Sequence, residues 1–407
     1  MTTAPDEATE ALVLKVGGKP YKGWTEARIT RALDKTVSDF DLALSERWPG
    51  QDTPWPLLPF TACQLFLGTE LLLTGYIDYY GPEVDDTKHA VRCTGRSKTG
   101  DLADCEPDIK SGQFTGYTLV QIARSICAPF GIEVVDLANA TQTFPDATME
   151  RCETAHRFLE RLGRLSGVLL TDDEQGRLVL TRAGSGKATT AIVQGKNMLR
   201  GAAKLNGARR FSIYIVKGQH GLGGHGKGSV NAPPGLGTAD GKPAGADVAQ
   251  TDDEDEPTPA ATPQVITQQR ATATDSGVPR YRPHVVMAES QLDQAGMQER
   301  ANWLARYSAG KAREAEVTVR GFRQSDGTRW TVNSMVTLTA AWLGFNEDLL
   351  IAGVKMTIGA RGKITEMVVG PPDAYAPDPG EVKLHKPHKG KKGKGVIDLG
   401  AVGTADG

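Results

Sequence analysis

The stretch "ELLLTGYID", residues 70–78, is matched near the other end of the chain by "DLLIAGVKM", residues 348–356. Both contain an acid, three aliphatic residues, a small residue, a glycine and a further apolar position. Each follows an alternating run typical of a strand and precedes a second strand that ends in glycine, at Gly95 and at Gly370. A weaker match pairs "FDLAL" (40–44) with "FSIYI" (211–215). The matched stretches do not recur at a regular repeat period that would prove a duplication. The pattern nevertheless predicts two related β domains.

The sequence between these regions has a helical pattern. Thr118 and Gln121 form a capping box, and the apolar residues that follow predict a helix that ends near Gly131. A second helix is predicted from about Glu153 to Ser166, and "VLLTDDEQGRLVLTR" predicts a β hairpin after it. These elements indicate a small α+β domain.

We therefore predict a mainly β protein in which two tube-like antiparallel β-barrel domains flank an α+β middle domain. The second barrel is interrupted by a segment rich in Gly, Pro, Ala, Thr and Asp, which we expect to be mobile because it has almost no large apolar side chain. The predicted boundaries are 1–10 for an N-terminal arm, 11–97 for the first barrel, 98–199 for the α+β domain, 200–378 for the second barrel with its insertion (about 219–279) and a helix (about 289–310), and 379–407 for a basic flexible tail.

Bulk composition narrows the class of protein. The 407 residues carry a formal net charge of −2, so no global charge attracts the chain to nucleic acid or to a membrane surface. The first residues are acidic and no apolar run approaches the ~20 residues of a membrane helix, which predicts a soluble protein made in a cytoplasm. Five widely spaced cysteines without a C-x-x-C pair favour small buried side chains over disulfides or zinc ligands.

Three motifs suggest ligand chemistry and fail on inspection. "GSGK" (184–187) has Thr181 where a phosphate loop needs glycine and Ala188 where it needs Ser or Thr. "GLGGHG" (221–226) fits a dinucleotide pattern, but no helix is predicted after it. "TDDEDEP" (251–257) lacks the spaced oxygen ligands of a calcium loop. The histidines are scattered, so we predict no catalytic residue, no cofactor and no metal site.

The run "GRSKTGDLADC" (95–105) is the most recognisable part of a wider resemblance. Together with "VGGKPYKGWTEARITRALDKTVSDFDLALSERWPG" (16–50) and "WTVNSMVTLTAAWLGFNEDLLIAGVKMTI" (330–358), it resembles the tail proteins of Mu-like phages and prophages, the baseplate hub family of contractile tails. The similarity spans roughly Leu12 to Pro379. The insertion and the basic tail depart from the family.

This resemblance implies a non-enzymatic structural role. Hubs of contractile tails form homotrimers in which six barrels make a pseudo-sixfold ring, so that a sixfold tail tube on one side is adapted to a threefold puncturing spike on the other. The implied partners are the central spike protein, the tail tube or tube-initiator protein and the baseplate wedge proteins, with the tape-measure protein as a further candidate. DNA would pass through the lumen without specific binding. The implied location is the baseplate of the virion tail, assembled in the host cytoplasm.

Nine residues are candidates for contacts between domains or subunits. In the run 95–105, glycines permit tight turns and charged side chains are expected to pair across a seam. Five tryptophans near predicted strand ends are candidate interface anchors, and we expect about half of them to pack in the core instead. The candidates are Arg96, Lys98, Asp101, Asp104, Trp24, Trp48, Trp55, Trp330 and Trp342.

Three alternatives remain open at this point. The chain could be the hub of a related contractile injection machine or tailocin, whose physics would be the same. A tail-associated peptidoglycan hydrolase would need two acids in a cleft, whereas Glu150, Glu153 and Glu160 lie in a helical setting typical of solvated faces. A free-standing nucleic-acid-binding module would use the lysine-rich tail, "KLHKPHKGKKGKG" (383–395).

Overall fold

The first β unit consists of seven strands with the period of two that the sequence predicts. In "DFDLAL", Phe40 and Leu42 are buried while Asp39 and Asp41 are half-buried on the other face. The computed structural model describes residues 11–44, 57–84, 89–109, 112–218, 270–288 and 294–378. The strands are β1 (Leu12–Val16), β2 (Lys19–Tyr21), β3 (Glu26–Ala32), β4 (Asp39–Leu44), β5 (Ala62–Leu67), β6 (Glu70–Val84) and β7 (His89–Ser97).

The middle unit confirms the predicted helices and hairpin. Thr118 and Gln121 cap the first long helix reciprocally, and Thr154 caps the second by accepting from the Arg157 N–H. The last two strands of the middle unit form an antiparallel hairpin. The elements are α1 (Gly100–Asp104), β8 (Gln113–Phe114), β9 (Tyr117–Thr118), α2 (Leu119–Cys127), β10 (Val134–Asp136), β11 (Thr143–Phe144), β12 (Ala147–Thr148), α3 (Ala155–Leu165), β13 (Leu169–Asp172) and β14 (Leu178–Thr181).

The rest of the chain forms a second β unit and a small side module. The elements, in chain order, are β15 (Gly186–Lys187), β16 (Ile192–Val193), β17 (Met198–Leu205), β18 (Ile213–Lys217), β19 (Arg270–Thr274), β20 (Pro283–Met287), α4 (Gln294–Lys311), β21 (Arg313–Arg320), β22 (Ser334–Ala340), β23 (Phe345–Gly359) and β24 (Gly362–Gly370). The second β unit comprises β15–β17 and β21–β24. The side module comprises β18–β20 and α4.

The second β unit begins before residue 200. Strands β15 and β16 pair in parallel with β22, and β17 pairs with β21, so all three belong to the large sheet. We therefore propose that the boundary with the middle unit lies near residue 183. The arm 1–10, the segment 219–269 and the tail 379–407 lie outside the described residues.

The side module corrects two expectations. Strand β18, which contains most of "FSIYI", lies in a separate three-stranded sheet, whereas β4, which contains "FDLAL", lies in the large sheet. The match between these two stretches is therefore wrong. Residues 270–279, expected in a mobile insertion, include β19, which pairs with β18. The helix expected from about 289 is described from Gln294 onward.

The two β units form one continuous sheet. Eight strands follow in the order β17-β21-β24-β23-β3-β4-β7-β6, and the central joint is the antiparallel pairing of β23 with β3. The Leu33 N–H continues the joint by donating to the Ala352 carbonyl at 2.7 Å. The register of the joint pairs Val354 with Arg31, Met356 with Ile29 and Ile358 with Ala27.

The two β units match in the structure, but the alignment of their residues differs from the alignment that the sequence match gives. The β6–β7 ladder is irregular after Ile77, and the β23–β24 ladder is irregular after Ile351. Phe60 and Asn333 have positive φ angles of 68° and 63°. Their N–H groups donate to the carbonyls of Ile77 and Ile351, at 2.7 and 2.9 Å. Ile77 therefore corresponds to Ile351, whereas the sequence match aligned it with Lys355, four residues later.

Three of the five cysteines are buried, as the sequence analysis predicts. Cys63, Cys93 and Cys127 are buried, and burial raises the pKa of each thiol to about 12. Cys105 and Cys152 are exposed, so the expectation of burial is wrong for these two. Within the described ranges, no helix is both long and apolar enough to cross a membrane.

Candidate functional site

The three units meet at the β13–β14 hairpin, which reaches from the middle unit to both β units. Asp172, at the end of β13, is buried and accepts hydrogen bonds from the N–H of Ser38 at 3.1 Å and from its hydroxyl at 2.7 Å. Burial raises the pKa of Asp172, although the Arg31 guanidinium and the Ser38 donors act in the opposite direction. The middle unit is thus fixed to the first β unit through a buried carboxyl group.

Two guanidinium groups meet one carboxylate at this junction. Arg31 of the first β unit donates to Glu174 at 2.8 Å, and Arg329 of the second β unit donates to the same oxygen at 3.3 Å. Arg329 also pairs with Glu70, in the β5–β6 hairpin. Burial acts to raise the pKa of Glu174, but Arg31 and Arg329 outweigh it and the pKa is lowered. Glu174 therefore links all three units.

The run 95–105 supplies hydroxyl groups to the same junction. The Ser97 and Thr99 hydroxyls lie 2.8 Å apart, and Thr99 donates to the Thr36 carbonyl at 2.6 Å. The Ser38 N–H donates to the Ser97 hydroxyl at 3.1 Å. These buried residues were not among the predicted seam residues, because Ser and Thr carry no distinctive pattern in a sequence.

The four predicted seam residues lie beside this network. Arg96 donates to Asp78 and to Asp104, both at 2.7 Å, and so connects β6, β7 and α1. The Lys98 N–H donates to the Thr74 carbonyl at 3.2 Å, and burial raises the pKa of Asp101. A role for these four in contacts between subunits stays a prediction.

The tryptophans divide between core and surface. Trp24 and Trp330 are buried in the shared core of the β units. Trp342, in the turn between β22 and β23, is 88% exposed. Trp48 and Trp55 lie outside the described residues. Among the five candidate tryptophans, Trp342 is therefore the described one that stays available as an interface anchor.

Asn333 is a further junction residue that sequence reasoning missed. Its side chain accepts from the Gly184 N–H at 2.7 Å and donates to the Arg182 carbonyl at 2.9 Å and to the Ser185 hydroxyl at 2.7 Å. An asparagine tolerates a positive φ better than most residues, and that preference was the available sequence signal. Asn333 ties the second β unit to the segment that leaves the middle unit. In the "GSGK" stretch, Gly184 and Ser185 lie in the turn before β15, and Gly186 and Lys187 form β15.

A cavity of about 360 Å³ opens at the junction, lined by residues of all three units that include Arg31, Asp172, Glu174 and Arg329. Each acid of this set is engaged with a guanidinium group. Among the residues that the structure describes, no group of three or more His, Cys, Asp or Glu side chains is placed to hold a metal ion. The arrangement is suited to holding the units together.

Among the described residues, the eight-stranded run is open along the outer edge of β17 and along the part of β6 beyond Ile77. The Asn206 N–H donates to the Ala312 carbonyl, so the backbone N–H and C=O groups of the even-numbered residues of β17 face β21. The backbone N–H and C=O groups of Gly201, Ala203 and Leu205 therefore face the open edge. On β6, the part beyond Ile77 pairs with β7 alone.

The open edges carry exposed apolar side chains. Leu205 on β17 is 64% exposed, and Phe60, beside the open part of β6, is 91% exposed. Pro82 lies on the open part of β6, which suits a strand edge because proline has no N–H to donate. Exposed edges of this kind are liabilities unless another strand covers them.

Three domain models of one group of phage proteins match the chain. Residues 11–97 match "Mu phage baseplate assembly protein GpP-like, N-terminal", residues 99–182 match "Baseplate hub protein gp44-like, second domain", and residues 293–378 match "Mu phage baseplate assembly protein GpP, fourth domain".

Relatives match over nearly the full length. The baseplate hub protein gp44 of Escherichia phage Mu is 30% identical over 390 residues, which are 95% of this chain and 93% of that protein. The 43 kDa tail protein of prophage MuSo2 from Shewanella oneidensis is 32% identical, with a TM-score of 0.74 over 90% of this chain and 99% of that one. A tail protein from Neisseria meningitidis shares the fold, with 18% identity and a TM-score of 0.69 over 90% of this chain and 98% of that one. The chain therefore belongs to the baseplate hub family of Mu-like contractile phage tails.

Proposed function

We propose that three copies of the chain close into a ring in the tail baseplate, where the ring adapts the sixfold tail tube to the threefold spike. The observation that carries this proposal is the joint between β3 and β23. One chain already contains two matching β units joined edge to edge. Three chains joined in the same way would present six matching positions around one axis.

The internal joint serves as a template for the joint between copies. In the first β unit β3 pairs with β4, and in the second β unit β17 pairs with β21 at the corresponding place. The correspondence of Ile77 with Ile351 likewise matches the open part of β6 to the part of β23 that pairs with β3. Transferring the register predicts that Tyr80, Pro82 and Val84 of one copy pair with Leu205, Ala203 and Gly201 of the next.

The transferred register also brings the exposed apolar residues together. In the joint between copies, Leu205 corresponds to Arg31 of the internal joint. Phe60 corresponds to Asn333, which lies beside the end of β3 in the internal joint. Phe60 and Leu205 would therefore meet in each joint and remove each other's apolar surface from water. A heterologous contact of this kind is stable when the ring closes.

The dimensions of the closed ring suit a tube-like collar. Eight strands per chain give 24 strands in three copies. At a spacing of ~4.8 Å between strands, the circumference is about 115 Å and the backbone diameter is about 37 Å before strand tilt widens it. The spike and the tube, or a tube initiator, would dock on opposite ends of this collar. The wedge and tape-measure proteins are the further proposed partners, and the place of assembly would be the host cytoplasm.

The native mass of the purified chain tests the ring. Sedimentation equilibrium or native mass spectrometry should give three times the 43.5 kDa of one chain at micromolar concentration. A monomer over the whole accessible concentration range would overturn the proposal. A non-enzymatic role is part of it, and clearing of a peptidoglycan suspension by the purified protein would contradict that part.

Phe60→Asn is expected to separate stability from assembly. A bulky residue at positive φ is strained by about 1 kcal/mol or more, and asparagine relieves part of this strain, so the unfolding free energy of the isolated chain should rise. The trimer should weaken because the aromatic surface is lost from each joint. Denaturant unfolding and native mass measure the two effects.

Phe60→Leu is the matched control, since it keeps both an apolar side chain and the unfavourable φ. It should leave the stability of the chain and most of the trimer unchanged. Equal trimer content in both variants and in the original protein would show that Phe60 is not in the joint.

A further inference from the structure

The turn between β22 and β23 carries Trp342, whose side chain is almost entirely exposed. This turn lies against the middle of β17, because an ideal β carbon on Gly201 would come within 2.7 Å of the Leu343 Cδ1 atom. The glycine therefore makes room for the turn. Leu343 packs against the shared core of the β units. The turn thus lies on the core side of β17, and its tryptophan is left in solvent near the open edge of that strand.

The corresponding turn of the first β unit makes a contact across the internal joint. Both β units have a hairpin at this place, β5–β6 in the first and β22–β23 in the second. Glu70, which begins β6, reaches the second β unit and forms ion pairs with Arg323, at 3.0 Å, and with Arg329. In the internal joint, the hairpin turn of one β unit therefore contacts the other β unit.

The other side of the joint between copies offers an apolar surface. Pro82 and Val84 are exposed on the open part of β6, and Val84 is 72% exposed. The correspondence of the two β units makes Met356 and Ile358 their counterparts in the internal joint. There, Met356 is buried and Ile358 packs against the shared core, beside β3. Positions that are covered at the internal joint are thus uncovered at the open edge.

We propose that Trp342 anchors the contact between copies by packing on Pro82 and Val84 of the neighbouring copy. The inference rests on the proposed function, and the partner is a second copy of this chain. In the transferred register Val84 lies opposite Gly201, the residue against which the β22–β23 turn packs. The two exposed apolar surfaces would therefore leave water together.

This contact would lie at the opposite end of the joint from the contact between Phe60 and Leu205. Gly201 and Leu205 are four residues apart, which is about 13 Å along a strand. A slip of two residues would move the strands by about 7 Å and would separate both apolar contacts. Tryptophan is among the residues that contribute most to interfaces. The two contacts together would therefore fix the register of the joint as well as stabilise it.

Trp342→Ser is the first test. Because the side chain is exposed in the single chain, its loss should leave thermal unfolding of the monomer unchanged. The dissociation constant of the trimer should rise at least about tenfold, as for a central interface residue. Native mass over a concentration series measures this. The matched control is Leu137→Ser, which removes an exposed apolar side chain from the middle unit and should leave the trimer unchanged.

A double-mutant cycle with Val84→Ser tests the pairing of the two residues. If the side chains touch, Trp342→Ser should weaken the trimer at least about threefold less in the Val84→Ser background than in the original protein. Fluorescence gives a measure without loss of the aromatic ring. The difference in emission between the original protein and Trp342→Phe reports on Trp342 alone, and it should shift to the red when the trimer is diluted into monomers.

Each other outcome has a distinct meaning. An unchanged trimer in Trp342→Ser, or an emission difference that does not shift on dilution, would overturn the inference and leave the ring in place. Additive effects of Trp342→Ser and Val84→Ser would overturn the proposed pairing. An equal loss of trimer in Leu137→Ser would overturn the inference, because any exposed apolar residue would then have the same effect. A monomeric original protein would instead overturn the ring, and with it this contact.

Discussion

Ala203→Pro is expected to convert the trimer into a folded monomer. The Ala203 N–H points to the open edge of β17, away from β21, so proline there removes no hydrogen bond within the chain. In the proposed joint this N–H donates to the Pro82 carbonyl of the next copy. Pro82 has no N–H to donate in return, so this pair depends on the single bond from Ala203.

The effect on assembly should be large. A lost hydrogen bond that leaves its partner unsatisfied costs about 1–3 kcal/mol, and the proline ring also keeps the neighbouring strand at a distance. Because three joints close the ring together, we expect the dissociation constant to rise by at least about a hundredfold. Native mass over a concentration series measures this, and thermal unfolding verifies that the monomer is folded.

The control substitution is Ala203→Ser, which keeps the N–H and should keep the trimer. The register is tested by the double variant Glu83→Cys and Ala202→Cys. These two positions would form a non-hydrogen-bonded pair across the joint, the type of pair in which side chains lie closest. In a background with serine at Cys105 and Cys152, oxidation should give a covalent trimer. Cysteines at Glu83 and Lys204 should not cross-link. A stable trimer of the proline variant would show that β17 is not in the joint.

Local patterns in the sequence predicted the local structure correctly. The helix from Leu119 was predicted from its capping box, and the strands of the first β unit were predicted from alternation, because both signals depend on residues a few positions apart. The two β units were also predicted, since β6 and β23 carry similar residues. The shift of four residues was missed, because alternation with a period of two looks the same when one strand is displaced along the other by an even number of residues.

Long-range contacts could not be predicted from one sequence. The pairing of β3 with β23 joins strands more than 300 residues apart, and no local pattern encodes its register. Arg31, Asp172 and Glu174 look like ordinary surface charges until the fold brings them together. The incorrect match of "FSIYI" shows the same limit, since alternation identifies a strand but not the sheet to which it belongs.

Arg31→Met is expected to destabilise the junction of the three units strongly. The Arg31 side chain is 16% exposed and the Asp172 side chain is fully buried, and Arg31 also holds Glu174. Removing one partner of a buried ion pair costs about 3–5 kcal/mol because the other charge stays buried without compensation. Denaturant unfolding at pH 7 measures the loss. The matched control is Arg28→Met on the same strand, where the exposed pair with Asp41 should contribute less than about 1 kcal/mol.

The deficit of Arg31→Met should depend on pH. Burial already raises the pKa of Asp172 above 3.8, and loss of Arg31 raises it further. A carboxyl group with a raised pKa in the folded state binds its proton more tightly there than in the unfolded chain. The stability of the variant therefore falls as pH rises from the unfolded pKa to the raised one. Glu174 acts in the same direction. Its pKa is lowered from 4.5 partly by Arg31, so it stabilises the original protein above pH 4.5, and the Arg31→Met variant loses this contribution. The deficit should be smaller at pH 5 than at pH 8, and a deficit independent of pH would show that Arg31 acts through packing alone.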